Sequence, residues 1–179
     1  MRTSRRQFMS GAAQAGMAVT YAGIAGAAEA GGEDATTLFK LVPVGRVEKR
    51  GETARIRILD KYADALLGLD AWSHVNVFYW FDQNDVPEKR RILRVNPRGD
   101  KANPLTGVFA CRAPVRPNLI ALSVCKILSV EGNVVNLDGI DAFDATPVLD
   151  LKPFIPQDAP AAKDVRVPDW AKRGEPRPG

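Results

Sequence analysis

The sequence is poor in the residues that most often carry metals and nucleophilic chemistry. It has two cysteines, Cys111 and Cys125, and one histidine, His74. These exclude a disulfide-stapled scaffold and any structural zinc site of four Cys or His ligands. A Ser-His-Asp triad could only be built on His74. No apolar run reaches the roughly 18 residues that a membrane-spanning helix needs, so no stable membrane anchor is expected. There is no nucleophile elbow, no phosphate loop, no dinucleotide fingerprint and no His-Glu-x-x-His pair. The chain is 45% hydrophobic and 26% charged, which excludes disorder throughout, collagen and a coiled coil.

The first 30 residues read as an address. Ser4-Arg5-Arg6-Gln7-Phe8-Met9 is a twin-arginine sequence, a mildly apolar Gly/Ala-rich stretch follows, and Ala28-Glu29-Ala30 is an A-x-A cleavage pattern. The order matches a Tat-type leader, whose cargo is exported folded and meets the Tat translocase on the way. A used leader implies a periplasmic protein; an unused one, a cytoplasmic protein. Residues 31–37 read as a polar linker. Without residues 1–30 the formal net charge falls from +4 to +2, which by itself is a weak signature for nucleic acid.

The rest of the chain is dominated by short strand signals. Strands are expected at Leu38–Glu48, Ala54–Leu59, Val75–Phe81, Arg91–Val95, Val108–Arg112, Ile120–Val130, Val134–Leu137 and Val148–Leu151. Glu131-Gly132-Asn133 reads as a hairpin turn. One short helix is expected over Asp60–Leu69 with Asp60 as its N-cap. Asp82–Glu88 reads as a polar turn and Asn96–Thr106 as a loop. Eight short strands at this spacing imply an all-β fold, a sandwich or a barrel, over residues 38–156. Residues 157–179 read as a loosely attached polar arm.

Several groups could carry chemistry. Arg112 and Arg116 flank a turn stiffened by Pro114 and Pro117, a way to hold guanidinium forks ready for a carboxylate or phosphate. Lys89, Arg90, Arg91, Arg94 and Arg98 form a basic cluster near Trp80 and Phe81 that could meet phosphate or be a solvated face. Asp141, Asp144 and Asp150 lack the spacing of a calcium loop, so no metal site is expected. His74, just before an aromatic strand, is a weak candidate for proton transfer. Cys111 and Cys125 could pair in an oxidising compartment if their geometry allowed it.

Read together, Pro43-Val44-Gly45, Leu69 with Trp72-Ser73-His74, Pro97-Arg98, Gly107-Val108-Phe109-Ala110 with Arg112, Arg116-Pro117-Asn118, and Thr146-Pro147 through Lys152-Pro153 resemble the TsaA-like (TrmO) family, in order from about residue 40 to 156. The resemblance implies a small antiparallel β-barrel and S-adenosyl-L-methionine bound between the subunits of a homodimer. It implies methylation of N6 of threonylcarbamoyladenosine beside the tRNA anticodon. It places cofactor contacts at Asp82, Gln83, Arg112, Leu122, Ala145, Thr146, Pro147 and Val148, with Arg116 and Asn118 in the adjoining turn. Asp150 joins His74 as a weak candidate for the base. The sequence departs from the family pattern at Ala113, Leu119 and Ala121. Ala145 stands where relatives carry glycine, a substitution that disfavours φ > 0. The loop between Arg46 and Ala54 is short. The leader and these departures set a second reading beside the methyltransferase: an exported barrel of the same family that binds a ligand and has lost methyl transfer.

Overall fold

The computed structural model describes residues 39–51 and 53–172. The expected export signal and linker, residues 1–37, lie outside the described residues, as do residues 173–179.

Six strands close into an antiparallel barrel: β1 (Gly45–Arg50), β2 (Thr53–Ile58), β3 (His74–Trp80), β6 (Ile120–Glu131), β7 (Val134–Leu137) and β8 (Pro147–Pro153). Their order around the barrel is β1-β2-β7-β6-β3-β8. β4 (Arg94–Val95) and β5 (Thr106–Gly107) form a separate two-stranded sheet. The barrel follows from period-2 patterning. In β2, Ala54, Ile56 and Ile58 point inward while Thr53, Arg55 and Arg57 face out. In β3, Val75, Val77 and Tyr79 point inward. With Val47, Val135, Leu137 and Val148 they form one continuous core. At the β6–β7 turn Gly132 takes φ 58, at the first of two central positions, where a hairpin favours glycine.

Several local expectations are corrected. Of the strand expected over Leu38–Glu48, the described part begins only at Gly45: Phe39, Leu41 and Val42 are exposed and pair with no strand among the described residues. The helix expected over Asp60–Leu69 is two 3-10 segments, Asp60–Leu66 and Leu69–Ala71, broken where Gly68 takes φ 80. Asp60 is not a cap; its carboxylate accepts a hydrogen bond from Asn133 Nδ2 at 2.7 Å, tying this segment to the β6–β7 turn. The α-helix is α1, Pro87–Arg90, inside what read as a turn, with proline at its start where the lost donor costs nothing. Only Arg94–Val95 of the expected Arg91–Val95 strand pairs. Val108–Ala110 is a 3-10 turn rather than a strand, since Thr106–Gly107 just before it supplies the pairing with β4.

The turn into β8 holds Ala145 at φ 63, the left-handed region. Three bonds impose it. Ala145 N–H donates to Val47 O at 2.9 Å, Arg46 Nη1 donates to Ala145 O at 3.1 Å, and Thr146 N–H reaches Phe143 O at 3.4 Å. A Cβ in this region is strained. Ala145→Gly is therefore expected to stabilise the fold by about 0.5–1 kcal/mol, the relief of strain outweighing the freer unfolded chain. Urea unfolding at constant m-value checks this, and a loss of stability would contradict it.

Candidate functional site

One end of the barrel carries three connections that leave the sheet together. These are the exit of β3 into a 3-10 turn at Asp82–Asn84, the segment 107–118 that returns to β6, and the loop 138–146 between β7 and β8. Two adjoining clefts lie among them. The first, about 320 Å³, runs between Lys49, the Trp80–Asn84 segment, Arg112, Pro114 and the loop bearing Asp141, Phe143 and Thr146. The second, about 1000 Å³ and more open, runs along β6 between Arg112, Arg116, Leu122 and His74. Tyr79, Phe81, Arg112 and Asp141 belong to both.

Tyr79 fixes this corner. It is the last inward residue of β3, and its hydroxyl donates to the backbone carbonyl of Asp141 and bonds Ser123 Oγ at 3.2 Å. Burial pushes its phenol above the usual range, so it remains a donor at neutral pH. The 138–146 loop is thus held against β3 and β6. Phe81 packs edge-on to Tyr79 at 5.8 Å. On the rim of the first cleft, the Asp144 carboxylate accepts from Lys49 N–H at 2.9 Å.

The structure brings Asp82, Gln83, Arg112 and Thr146 to one cleft. Leu122 and Arg116 line the second. Ala145 and Pro147 flank Thr146 in the closing turn without lining the cleft, and Val148 is a fully buried core residue. Asn118 is exposed and serves through its carbonyl, which accepts from Ile120 N–H at 2.8 Å. The two candidate bases are separated. His74 lines the second cleft, its Nδ1 2.9 Å from Ser73 Oγ and its ring 6.4 Å from that of Phe154. Asp150 lines a different hollow with Tyr62 and Trp72, and is ion-paired to Lys152 at 2.7 Å. Sequence reasoning missed Lys49, Tyr79 and Phe143, and weighed Asp141 only for a metal role that it set aside. Tyr79 had a signal, as the one polar tip among the inward positions of an aromatic strand; Lys49 had none.

The first cleft therefore presents two cations, Lys49 and Arg112, two carboxylates, Asp82 and Asp141, and the rings of Trp80, Phe81 and Phe143. Such a set suits a ligand that carries charges of both signs beside a flat ring. Its volume falls in the usual range for small-molecule sites, about 300–1000 Å³.

Both cysteines line the second cleft as free thiols. Cys125 is buried in the core, and burial pushes its thiol up to about 11. Cys111 is half-buried, with Sγ 3.6 Å from Gly107 O. A maleimide at pH 7 is expected to label one thiol of the folded chain, Cys111, because the thiolate is the nucleophile. Cys125 should react only on unfolding or as pH climbs toward about 11. Peptide mapping that found both labelled at pH 7 under native conditions would contradict this.

Comparisons with known proteins agree with this architecture. A probable S-adenosyl-L-methionine-binding protein of Methanocaldococcus jannaschii is 43% identical over 117 residues, 65% of this chain and 93% of that protein. The tRNA (adenine(37)-N6)-methyltransferase of Homo sapiens is 40% identical over 102 residues, 56% of this chain but 22% of that protein. The crystal structure of TrmO from Pseudomonas aeruginosa superposes with a TM-score of 0.61 at 29% identity, covering 78% of this chain and 66% of that one. The family model of the tRNA-methyltransferase O N-terminal domain matches residues 40–159, which take in the whole barrel and both clefts, and the chain belongs to that family.

Proposed function

We propose that this chain is an S-adenosyl-L-methionine-dependent methyltransferase acting on N6 of a modified adenosine beside the tRNA anticodon. The observation that carries the reading is the first cleft, a mixed-charge, aromatic-walled slot built from the family's own turns. Its chemistry fits the cofactor. Arg112 can pair with a carboxylate, Asp82 and Asp141 can face an ammonium or sulfonium, and Trp80, Phe81 and Phe143 can flank a purine. The cofactor, once bound, supplies an already activated methyl group. The protein's task is alignment and exclusion of water. Tyr79 holds the walls in place through Asp141 and Ser123. Neither candidate base lines the first cleft: His74 borders only the second, about 20 Å along β3 from Trp80, and Asp150 lies in a separate hollow.

A homodimer belongs to the same proposal. Ile120, Leu122 and Val124 leave an apolar stripe on the outside of β6, ending at Lys126, and Phe109 beside it is 79% exposed. The second cleft opens on this stripe, so a second copy seated there would cover it. Export by the leader is a separate proposal. The reading of a barrel that has lost methyl transfer draws no support from the relatives above, whose names speak of S-adenosyl-L-methionine binding or methyl transfer.

Calorimetric titration of S-adenosyl-L-methionine into the full chain is expected to give micromolar affinity. Arg112→Ala should weaken it at least tenfold, with far-UV CD and melting temperature unchanged, since Arg112 is exposed and has no structural partner among the bonds of the described residues. Sedimentation of the same sample should report two chains. Unchanged affinity in the variant would remove Arg112 from the site, and no binding by the folded wild type would remove the activity. For export, the recovered protein should begin at Gly31; a product beginning at residue 1 would mean that the leader is unused.

A further inference from the structure

Between β3 and β6 the chain leaves the barrel for residues 82–118. This excursion carries eight Lys and Arg against four Asp and Glu, an excess of +4, equal to the formal net charge of the whole chain. Two of its cations, Arg112 and Arg116, line the clefts. Two more are tied down. Lys89 Nζ donates to Gln83 O at 3.0 Å. Arg90 donates to Asp85 at 2.8 Å and to Pro117 O at 3.0 Å, and lies over the Trp80 ring at 5.3 Å. Trp80 Nε1 also donates to Asp85, at 2.9 Å. This knot clasps the two ends of the excursion together beside the first cleft.

The remaining four, Arg91, Arg94, Arg98 and Lys101, are exposed, and none takes part in the ion pairs of the described residues. On β2 of the barrel, by contrast, Arg55 and Arg57 are each held by Glu48 at 2.6 Å. The four cations also stand on a built frame. Arg94 pairs with Gly107 in the β4–β5 sheet, and Val108 N–H donates to Leu93 O at 3.0 Å. The turn bearing Arg98 is stitched by Asn96 Nδ2 to Asn103 O at 2.8 Å and by Asn103 Nδ2 to Pro97 O at 2.8 Å. That stitching keeps Arg98 at φ 61, a conformation that a residue with a long side chain rarely adopts.

We propose that the excursion is a phosphodiester-binding arm, on which Arg91, Arg94, Arg98 and Lys101 carry an RNA backbone while the target nucleotide reaches the cleft edged by Arg112. Unpaired cations on a stiff frame bind phosphates by charge and register, without reading sequence. Their place next to the clefts, in a segment that holds the chain's entire charge excess, is what separates an arm from a merely solvated face. The choice of RNA as the polyanion rests on the proposed function.

The test uses the full chain and a tRNA transcript, with binding read by fluorescence anisotropy from about 50 to 200 mM salt. The arm variant combines Arg91→Gln, Arg94→Gln, Arg98→Asn and Lys101→Gln; asparagine at position 98 tolerates the left-handed backbone. A charge-matched control combines Lys40→Gln, Lys61→Gln, Lys163→Gln and Arg166→Gln, all exposed and outside the excursion. The arm variant is expected to lose at least tenfold in tRNA affinity at the lowest salt. Its log–log salt slope should become shallower by about 3, with S-adenosyl-L-methionine affinity unchanged. The control should stay near wild type. If the arm variant misfolds, Arg91→Gln and Lys101→Gln singly should each reduce the slope by about 0.7–1. Equal losses in arm and control variants would overturn the proposal, as would wild-type affinity in the arm variant. So would a wild-type chain that binds anionic phosphatidylglycerol vesicles but not tRNA. If the chain binds no S-adenosyl-L-methionine while the arm variant still loses tRNA, the methyltransferase reading falls and the arm stands.

Discussion

The closing seam between β1 and β8 is the constraint on which the rest of the molecule depends. β3 and β6 pair over seven positions, but β1 meets β8 over only two, Gly45 with Val148 and Arg46 with Pro147. Beside this seam Gly45 lets β1 lie close against β2: a Cβ there would lie 2.4 Å from Arg57 O on that strand. Any other residue would push β1 away from β2 at the point where the barrel must close. The short ladder is extended by Val44 N–H to Val148 O at 2.8 Å and Val47 N–H to Thr146 O at 2.9 Å. Pairing past the end of β8 draws the 138–146 loop over the barrel mouth. That is how Lys49 on β1 and Thr146 before β8 come to face one cleft.

The barrel and its connections divide the work. Inward positions of the strands are mostly β-branched or small, and besides the Cys125 thiol the polar groups among the buried residues are those of Tyr79 and Thr146 at the cleft end. On the outer wall, Glu48 sits between Arg55 and Arg57 and is held below the usual carboxylate range, chiefly by its hydrogen bond to Arg57. Exposed pairs of this kind add little stability, but they leave that wall with little charge for a partner to use. Charge left unneutralised is concentrated in the 82–118 excursion, and polar groups that converge are found at one mouth. A rigid barrel that positions variable loops at one end is a common arrangement for binding sites.

The parts of this fold that were legible in the sequence are those where burial alone decides. β2, β3 and β7 alternate strictly because one face is core and the other is not, and that period is visible in the residues. Residues 39–43 misled because their apolar content resembles a strand, while pairing depends on a neighbour that composition does not reveal. Asp60 looked like a helix cap because Asp favours that role, but Asn133, 73 residues away, takes its carboxylate instead. Arg112 was legible from its motif. Lys49 and Asp141 were not, since they become neighbours of Arg112 only through the barrel closure. Asp150 fails as a neighbour of His74 for the same reason: β8 carries it to a different hollow.

Ala145 and Arg98 are the non-glycine residues at positive φ among the described residues. Neither conformation is intrinsic, and each is imposed by bonds to groups elsewhere. Val47 O and Arg46 hold the first, and the Asn96–Asn103 stitching holds the second. Strain survives in a fold only where surrounding contacts over-determine it. Here those contacts lie at the turn that closes the first cleft and at the turn that presents an unpaired cation. At position 145 an alanine holds a backbone path that favours glycine. The shape of this turn is therefore dictated by barrel closure rather than by the residue occupying it.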